Sequence, residues 1–358
     1  MAIATALSVY LGAFNVTTPT ILPTSNQFLR PAILGDDLDL DGTGARTKEY
    51  TDAATIDADE ALSQISAAVS TAAKIALTNG ASRVLVINRD VAVGSETVAA
   101  ALNAGFDESA FGYVCYTNRT AADQVAMAAW AETRVDVMAL CASADSDWLT
   151  SGVPAAFSSA TTYKQSGVIY LDDGGEYWDA AAIGRASSFS PDVRRHAWRL
   201  RVQGETAYDI TTSQEAFALA NNANFIFRDS ANASTYQFGP GQAFDGSDLA
   251  ITLTRAWLYV RGREAIAQGI ADDVDAGGFV SADATGEIVA QSWIEPVFAL
   301  GAQSRHILAE STTIAGGYEI TTSSDATAGT ITINATAVVP VPLSPDGLTV
   351  NVSLTVEA

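Results

Sequence analysis

The first 29 residues of this 358-residue chain carry no charged side chain, and neither does Ala326–Pro345. The whole chain has 41 Asp and Glu against 19 Lys and Arg, a formal net charge of −22. Both ends are therefore kept clear of the charge that the middle carries in excess. The opening stretch has no basic segment, and Asn15, Pro19, Pro23, Asn26 and Gln27 interrupt its apolar residues, so a secretory-signal pattern is not expected. No segment reads as a membrane helix; the threonine, asparagine, glycine and proline of Ala326–Pro345 favour strand. Lysine occurs only at Lys48, Lys74 and Lys164. A field of this sign argues against non-specific nucleic-acid binding, and it opposes dense self-packing unless charges are paired or screened. The two cysteines, Cys115 and Cys141, make neither a disulfide framework nor a metal site. They fall in predicted buried strands and read as free thiols.

Motifs that carry chemistry are equally sparse. His196 and His306 are far apart, and there is no H-E-x-x-H and no Cys/His cluster. No G-x-S-x-G elbow or Ser, His and Asp set is present. No G-x-G-x-x-G follows a strand, and the loop Arg89-Asp90-Val91-Ala92-Val93-Gly94 lacks the glycines that cradle phosphate. Two acidic stretches remain. Asp37, Asp39, Asp41 and Gly42 fit the first half of a calcium loop, but the twelfth position is Lys48 and Glu49 comes one residue late, so a solvated acidic loop is preferred. Asp172-Asp173-Gly174-Gly175-Glu176 follows a predicted parallel strand, where α/β sites occur. A polar turn is the preferred reading there, because acidic residues abound throughout. No catalytic residue, metal or cofactor is expected, and the chain is not expected to be an enzyme. The one basic cluster, Arg194, Arg195, His196, Arg199 and Arg201 around Trp198, is open to two readings: contact with an acidic partner, or pairing with the chain's own carboxylates.

What is present is a globular composition, 48% hydrophobic and 17% charged. Apolar spacing predicts helices at Ala58–Thr78, Ser95–Ala104, Ala121–Thr133, Tyr177–Ala186, Ser213–Asn222, Leu249–Ala271 and Gly286–Leu300, the last interrupted at Pro296. Short buried runs predict strands at Arg83–Asn88, Gly112–Tyr116, Val135–Ala142 and Gly167–Leu171. Asn224–Arg228 and Thr235–Phe238 suggest a hairpin. Strands alternating with helices imply an α/β fold, a mainly parallel sheet covered on both faces.

The two uncharged ends are strand-like. Met1–Val16 places Ile3, Leu7, Val9 and Leu11 among small residues, an extended arm in prospect. Gly329–Val356 holds two alternating arms around Pro345-Asp346-Gly347. Pairing Leu343 with Leu348 sets Val341 opposite Val350, Val339 opposite Val352 and Ala337 opposite Leu354, and makes one face wholly apolar. A two-stranded ribbon is marginal alone, so it needs further sheet, either its own core or another subunit. The ends are expected either to join one local sheet or to add strands to neighbours. In the second reading Ile3, Leu7, Val9, Leu11, Ile331, Ile333, Val339, Leu348, Val350, Val352 and Leu354 are the pairing residues.

Diffuse landmarks run along the chain: Phe111-Gly112-Tyr113-Val114-Cys115-Tyr116, Ala128-Ala129-Trp130-Ala131-Glu132, Met138-Ala139-Leu140 and Asp147-Trp148-Leu149. They continue at Trp198, Ile210-Thr211-Thr212-Ser213-Gln214, Leu219-Ala220-Asn221-Asn222 and Gly241-Gln242-Ala243-Phe244-Asp245 before the long helix. With the terminal strand pair, these residues resemble contractile-phage tail sheath proteins, in particular a shorter sheath-like family, over most of residues 50–358. That resemblance implies an N-terminal arm (1–30), an α/β domain (31–245) and a C-terminal α+β sheath-type domain (246–358) that ends in an antiparallel strand pair, with terminal arm 329–358. It also implies a structural role, in which subunits stack as hexameric rings around an inner tail tube protein, between baseplate and tail-terminator proteins. Contraction then drives the tube through the host envelope. The expected place is the virion tail, with assembly in the host cytoplasm and no membrane insertion by this chain. The competing classes are an acidic metal-dependent α/β enzyme and a receptor-binding or adhesion module of a virion.

Overall fold

A computed structural model describes residues 25–92, 94–172, 176–189, 200–203, 210–228, 236–275, 280–304, 308, 314–325, 327, 330–339 and 348–357. The chain divides into two compact units, one spanning Asn26–Leu253 and the other including everything from Thr254 onward.

The first unit is built on a nine-stranded sheet. Its strands are β1 (Pro31–Asp36), β2 (Thr47–Tyr50), β3 (Val84–Arg89), β4 (Tyr113–Tyr116), β5 (Met138–Ser143), β6 (Ser166–Tyr170), β7 (Leu200–Val202), β8 (Ala223–Arg228) and β9 (Tyr236–Gly239), in the order β2-β3-β1-β4-β5-β6-β8-β9-β7. The six central strands, from β3 through β8, run parallel. Antiparallel β2 closes one side and the β8–β9–β7 set closes the other. The helices are α1 (Ala53–Ala61), α2 (Ala67–Thr78), α3 (Val98–Glu108), α4 (Ala121–Glu132), α5 (Asp147–Thr150), α6 (Trp178–Ser187) and α7 (Thr212–Ala220).

Strand residues alternate between two cores, as period two requires. One face gives Ala32, Leu34, Leu85, Ile87, Val114, Cys141 and Val168 to a core with Leu102, Phe106, Met127, Ala128, Trp148 and Phe157. Phe106, Phe111 and Trp130 meet there with ring centroids 5.3–6.5 Å apart. The other face is covered by α2 and α6, which pack on each other and against β1.

Several sequence expectations need correction. The single helix foreseen at Ala58–Thr78 is two, because the chain turns at Ser63 (φ 58°) and Ser66 caps a new helix through the N–H of Val69. Leu62, an apolar residue of the foreseen helix, is 69% exposed in that turn. Gly105 does not end α3, which continues to Glu108; it lies where a Cβ would come within 2.8 Å of Ile87, so the glycine lets the helix approach β3. The strand β1 was not foreseen, yet it is an inner strand of the sheet, parallel to β3 on one side and β4 on the other. The hairpin of β8 and β9 is as expected, pairing Ile226 with Phe238.

The second unit holds the remainder of α8 (Leu249–Asp275), then α9 (Ala284–Ala299) and a three-stranded antiparallel sheet of β10 (Tyr318–Asp325), β11 (Thr330–Val339) and β12 (Leu348–Glu357), in that order. Pro296 does not interrupt α9 as expected. The helix runs through it and ends in a wider π-type turn at Leu300–Ser304.

Candidate assembly interface

The C-terminal sheet is assembled from short-range rules. In β11 the small and branched residues Ile331, Ile333, Ala335 and Ala337 are buried, while Asn334 between them is exposed. In β10 half-buried and exposed positions alternate along all eight residues. The covering layer is α9, which packs against both strands with Gly286, Ala290, Ile294, Val297 and Phe298 inward. Asp283 starts this helix: one carboxylate oxygen accepts from the N–H groups of Thr285 at 2.9 Å and Gly286 at 3.0 Å. The Gly286 bond, first among several, holds the Asp283 pKa below its ordinary value. Gly286 has no room for a side chain, since a Cβ would stand 1.8 Å from the Ser281 carbonyl oxygen and 3.0 Å from Ile331. At the other end the rings of Phe298 and Tyr318 lie 5.9 Å apart; in the first turn, beside Gly286, Glu287 accepts from Ser324 Oγ at 2.6 Å.

β12 pairs with β11 over ten positions, from Val339 opposite Leu348 to Thr330 opposite Glu357. Ala337 stands opposite Val350, Ala335 opposite Val352, Ile333 opposite Leu354 and Ile331 opposite Val356. This corrects the expected register by four positions: Leu348 faces Val339, not Leu343. The shift is even, so the same apolar alternation is kept. The expected turn at Pro345-Asp346-Gly347 lies outside the described residues. Among the described residues β12 pairs with β11 alone, which makes Leu348–Glu357 an edge strand. Edge ladders are templates for further strands.

The other expected residues are distributed as follows. Ile3, Leu7, Val9 and Leu11 lie outside the described residues, as do Arg194, Arg195 and Arg199. Arg201 is exposed on β7, opposite Gln237. The Asp37–Asp41 loop is tied both to itself and to its neighbour: Asp37 accepts from the N–H groups of Val91 at 2.8 Å and Ala92 at 2.9 Å. Asp41 accepts from the backbone of Thr43 and Ala45, and Asp39 accepts from Gly44. Lys48 donates to the Leu40 carbonyl at 3.0 Å and pairs with Asp59 at 2.6 Å. In the second acidic stretch the N–H of Asp172 donates to Glu176 at 3.1 Å, while Asp173 lies outside the described residues. Among the described residues no group of three His, Cys, Asp or Glu side chains is arranged to hold a metal.

A polar network that sequence reasoning missed fills the crevice at the ends of β1 and β4. There the strand order changes direction, which is where open α/β sheets bind ligands. Tyr116 donates to Asp36, and Asn118 bridges Asp36 at 2.9 Å and Asp123 at 3.0 Å. Arg89 pairs with Asp123 at 3.0 Å. Arg119 grips Asp179 at 2.6 and 2.9 Å and reaches the carbonyls of Tyr116 and Glu176, both at 2.9 Å. The Asp179 side chain is 1% exposed. Burial, then the Asp36 bond, pushes the Tyr116 pKa upward, and burial does the same to both cysteine thiols. These groups bond to one another across the crevice, with Arg119 Nε left without a hydrogen-bond partner. The signal available in sequence was the Asn118-Arg119-Thr120 segment directly after a strand.

An α/β sheet with this order, joined to an α9-covered antiparallel C-terminal sheet, is the fold of contractile tail sheath proteins. The sheath tail protein of Listeria innocua superimposes with a TM-score of 0.65 at 11% identity, over 94% of this chain and 99% of that one. The helical sheath of the anti-feeding prophage in its contracted state gives 0.66 at 13%, over 93% and 95%. The contracted sheath complex of an extracellular contractile injection system, PVC, gives 0.58 at 10%, over 96% and 92%. No protein-family profile matches the sequence, and no curated protein sequence does.

Proposed function

We propose that this chain is the structural subunit of a contractile tail sheath, polymerising around an inner tube and shortening to drive that tube through a host envelope. The observation that carries this reading is the sheath fold over more than nine-tenths of the chain. The edge strand β12 supports it, because backbone ladders between copies need no particular side chain and survive while domain bodies slide. On this reading the partners are sister subunits in stacked rings, an inner tube protein, and baseplate and terminator proteins; one of the similar structures is described as a baseplate of the anti-feeding prophage. The particle tail is the location, and assembly takes place in the host cytoplasm. The roles proposed for the segments are an N-terminal arm at 1–30, an α/β body at 31–245 and a sheath-type domain at 246–358.

An enzymatic role has less support. The switch-point crevice is occupied by mutually bonded side chains, and among the described residues no site favours the adhesion module. The test is negative-stain electron microscopy of the purified protein beside a variant lacking residues 344–358. Hollow tubes from the full chain and a soluble, tube-free truncation are expected. Long tubes from the truncation, or a full chain that never forms tubes, contradict the proposal.

A further inference from the structure

The chain holds a single Asn-Gly pair, Asn79-Gly80. Asn-Gly is the dipeptide most open to spontaneous deamidation, because glycine has no side chain to shield its backbone nitrogen. In the fold this pair ends α2: Asn79 is the helix cap, and Gly80 follows at φ 103°, a conformation that suits glycine. The Asn79 side chain is turned inward, with 4% of the residue exposed. Its Nδ2 donates to the Ile75 carbonyl at 2.9 Å and to the Gln203 carbonyl at 2.6 Å. Its Oδ1 accepts from the Gln203 N–H at 2.7 Å. One amide thus takes both backbone groups of Gln203, as a neighbouring strand would. Gln203 directly follows β7, the last strand of the nine-stranded sheet, which among the described residues pairs with β9 alone. The clamp therefore fastens an outer edge strand to the end of a helix 124 residues away in sequence.

We propose that Asn79 is a gated deamidation site, closed while the end of β7 is clamped and converted when that end opens. The step needs only water and hydroxide. The Gly80 backbone nitrogen, its proton taken by hydroxide, attacks the side-chain carbonyl carbon of Asn79. A carbon–nitrogen bond forms there, and the side-chain nitrogen leaves as ammonia. Water then opens the five-membered imide at either carbonyl, which leaves aspartate or isoaspartate. In the folded chain the reacting groups are held. The Gly80 N–H donates to the Leu77 carbonyl at 3.0 Å, and the Asn79 amide is fixed by its three hydrogen bonds. Conversion is also one-way. An aspartate at position 79 puts an oxygen where Nδ2 now donates, so the Ile75 and Gln203 carbonyls face an acceptor. Acceptors left unpaired in a buried place are costly, so a converted clamp does not re-form. The pair records the opening of this edge.

Peptide mapping by mass spectrometry tests the gate on the full chain, held in mildly alkaline buffer with and without denaturing urea. Asn79 is expected to convert in urea and to stay intact in the folded chain over the same time. Equal conversion in the two overturns the gate. Val202→Ala loosens β7 without touching the clamp, because the Val202 side chain is buried. The lost methyl groups are expected to speed conversion in the folded chain by about tenfold. Hydrogen exchange run in parallel checks that β3 through β6 remain protected; where they do not, Val202→Thr, which keeps the shape, takes its place. Conversion no faster than the parent's in a folded variant overturns the part given to β7. Asn79→Asp tests the one-way step. The Gln203 N–H is expected to lose its protection from exchange while the central strands keep theirs. A Gln203 N–H as protected as the parent's shows that the clamp re-forms with a carboxylate, and overturns the proposal.

Discussion

At the residue scale the most consequential contact is the one between Arg119 and Asp179. Its carboxylate is almost wholly buried, and removing one partner leaves a buried charge without compensation. Arg119→Ala is expected to destabilise the chain by about 3–5 kcal/mol, read by urea denaturation; a change within about 0.5 kcal/mol, the usual range for surface sites, would contradict the role given to it. Neither residue stood out in the sequence, where acidic side chains are so common that no single one draws notice. The helix caps are a second case. Asp52 and Asp283 are held below the ordinary value of 3.8 mainly by the backbone N–H groups they accept. A carboxylate depressed on folding stabilises the fold above its unfolded value and loses that contribution as the pH falls through the folded one. Stability is therefore expected to drop as pH is lowered below about 4. Asp283→Asn, which cannot titrate, should flatten part of that slope in thermal melts between pH 5 and 2. A slope identical to the parent's would show that the cap does not contribute.

At the scale of the element, hydrophobic alternation was legible and register was not. β11 and β12 announce themselves by period two, but any even shift of one against the other preserves the pattern. β1 escaped notice for the opposite reason. As an inner strand it is buried on both faces, and Ala32-Ile33-Leu34 between Pro31 and Gly35 is too short to show a period. β10 was likewise hidden, since its threonines and serines give little apolar alternation although its neighbours bury every second position. The α9 layer carries the clearest element-level prediction. Gly286→Ala forces a methyl against Ser281 and Ile331, and overpacking of this kind costs about 1–3 kcal/mol. A lower melting temperature is expected, and an unchanged one would mean that α9 can move off the sheet freely.

At the scale of the whole molecule, the contrast between a strongly acidic body and uncharged ends was the feature most plainly written in the sequence. Like-charged bodies repel, and repulsion across many stacked copies is overcome only where charges are paired or screened. In the proposed sheath, strands that carry little charge escape this, which favours connectivity at the ends. It follows that assembly should be salt-dependent: raising ionic strength from about 0.01 to 0.15 M shortens the screening length from about 30 to 8 Å and is expected to promote polymerisation, measured by light scattering. Polymerisation that weakens with salt would point to attractive charge contacts between bodies. The general fold class was legible from alternating helices and strands, while the division inside α8 was not, because an uninterrupted helical period runs across it.

The most direct measurement is a reconstruction of assembled tubes by electron cryomicroscopy, traced well enough to follow each chain past Val339. The account predicts that the sheet of Tyr318–Asp325, Thr330–Val339 and Leu348–Glu357 is extended by a strand from a sister subunit. A tube in which every subunit pairs only with its own Leu348–Glu357, and no sheet contains a strand from a sister copy, would contradict it.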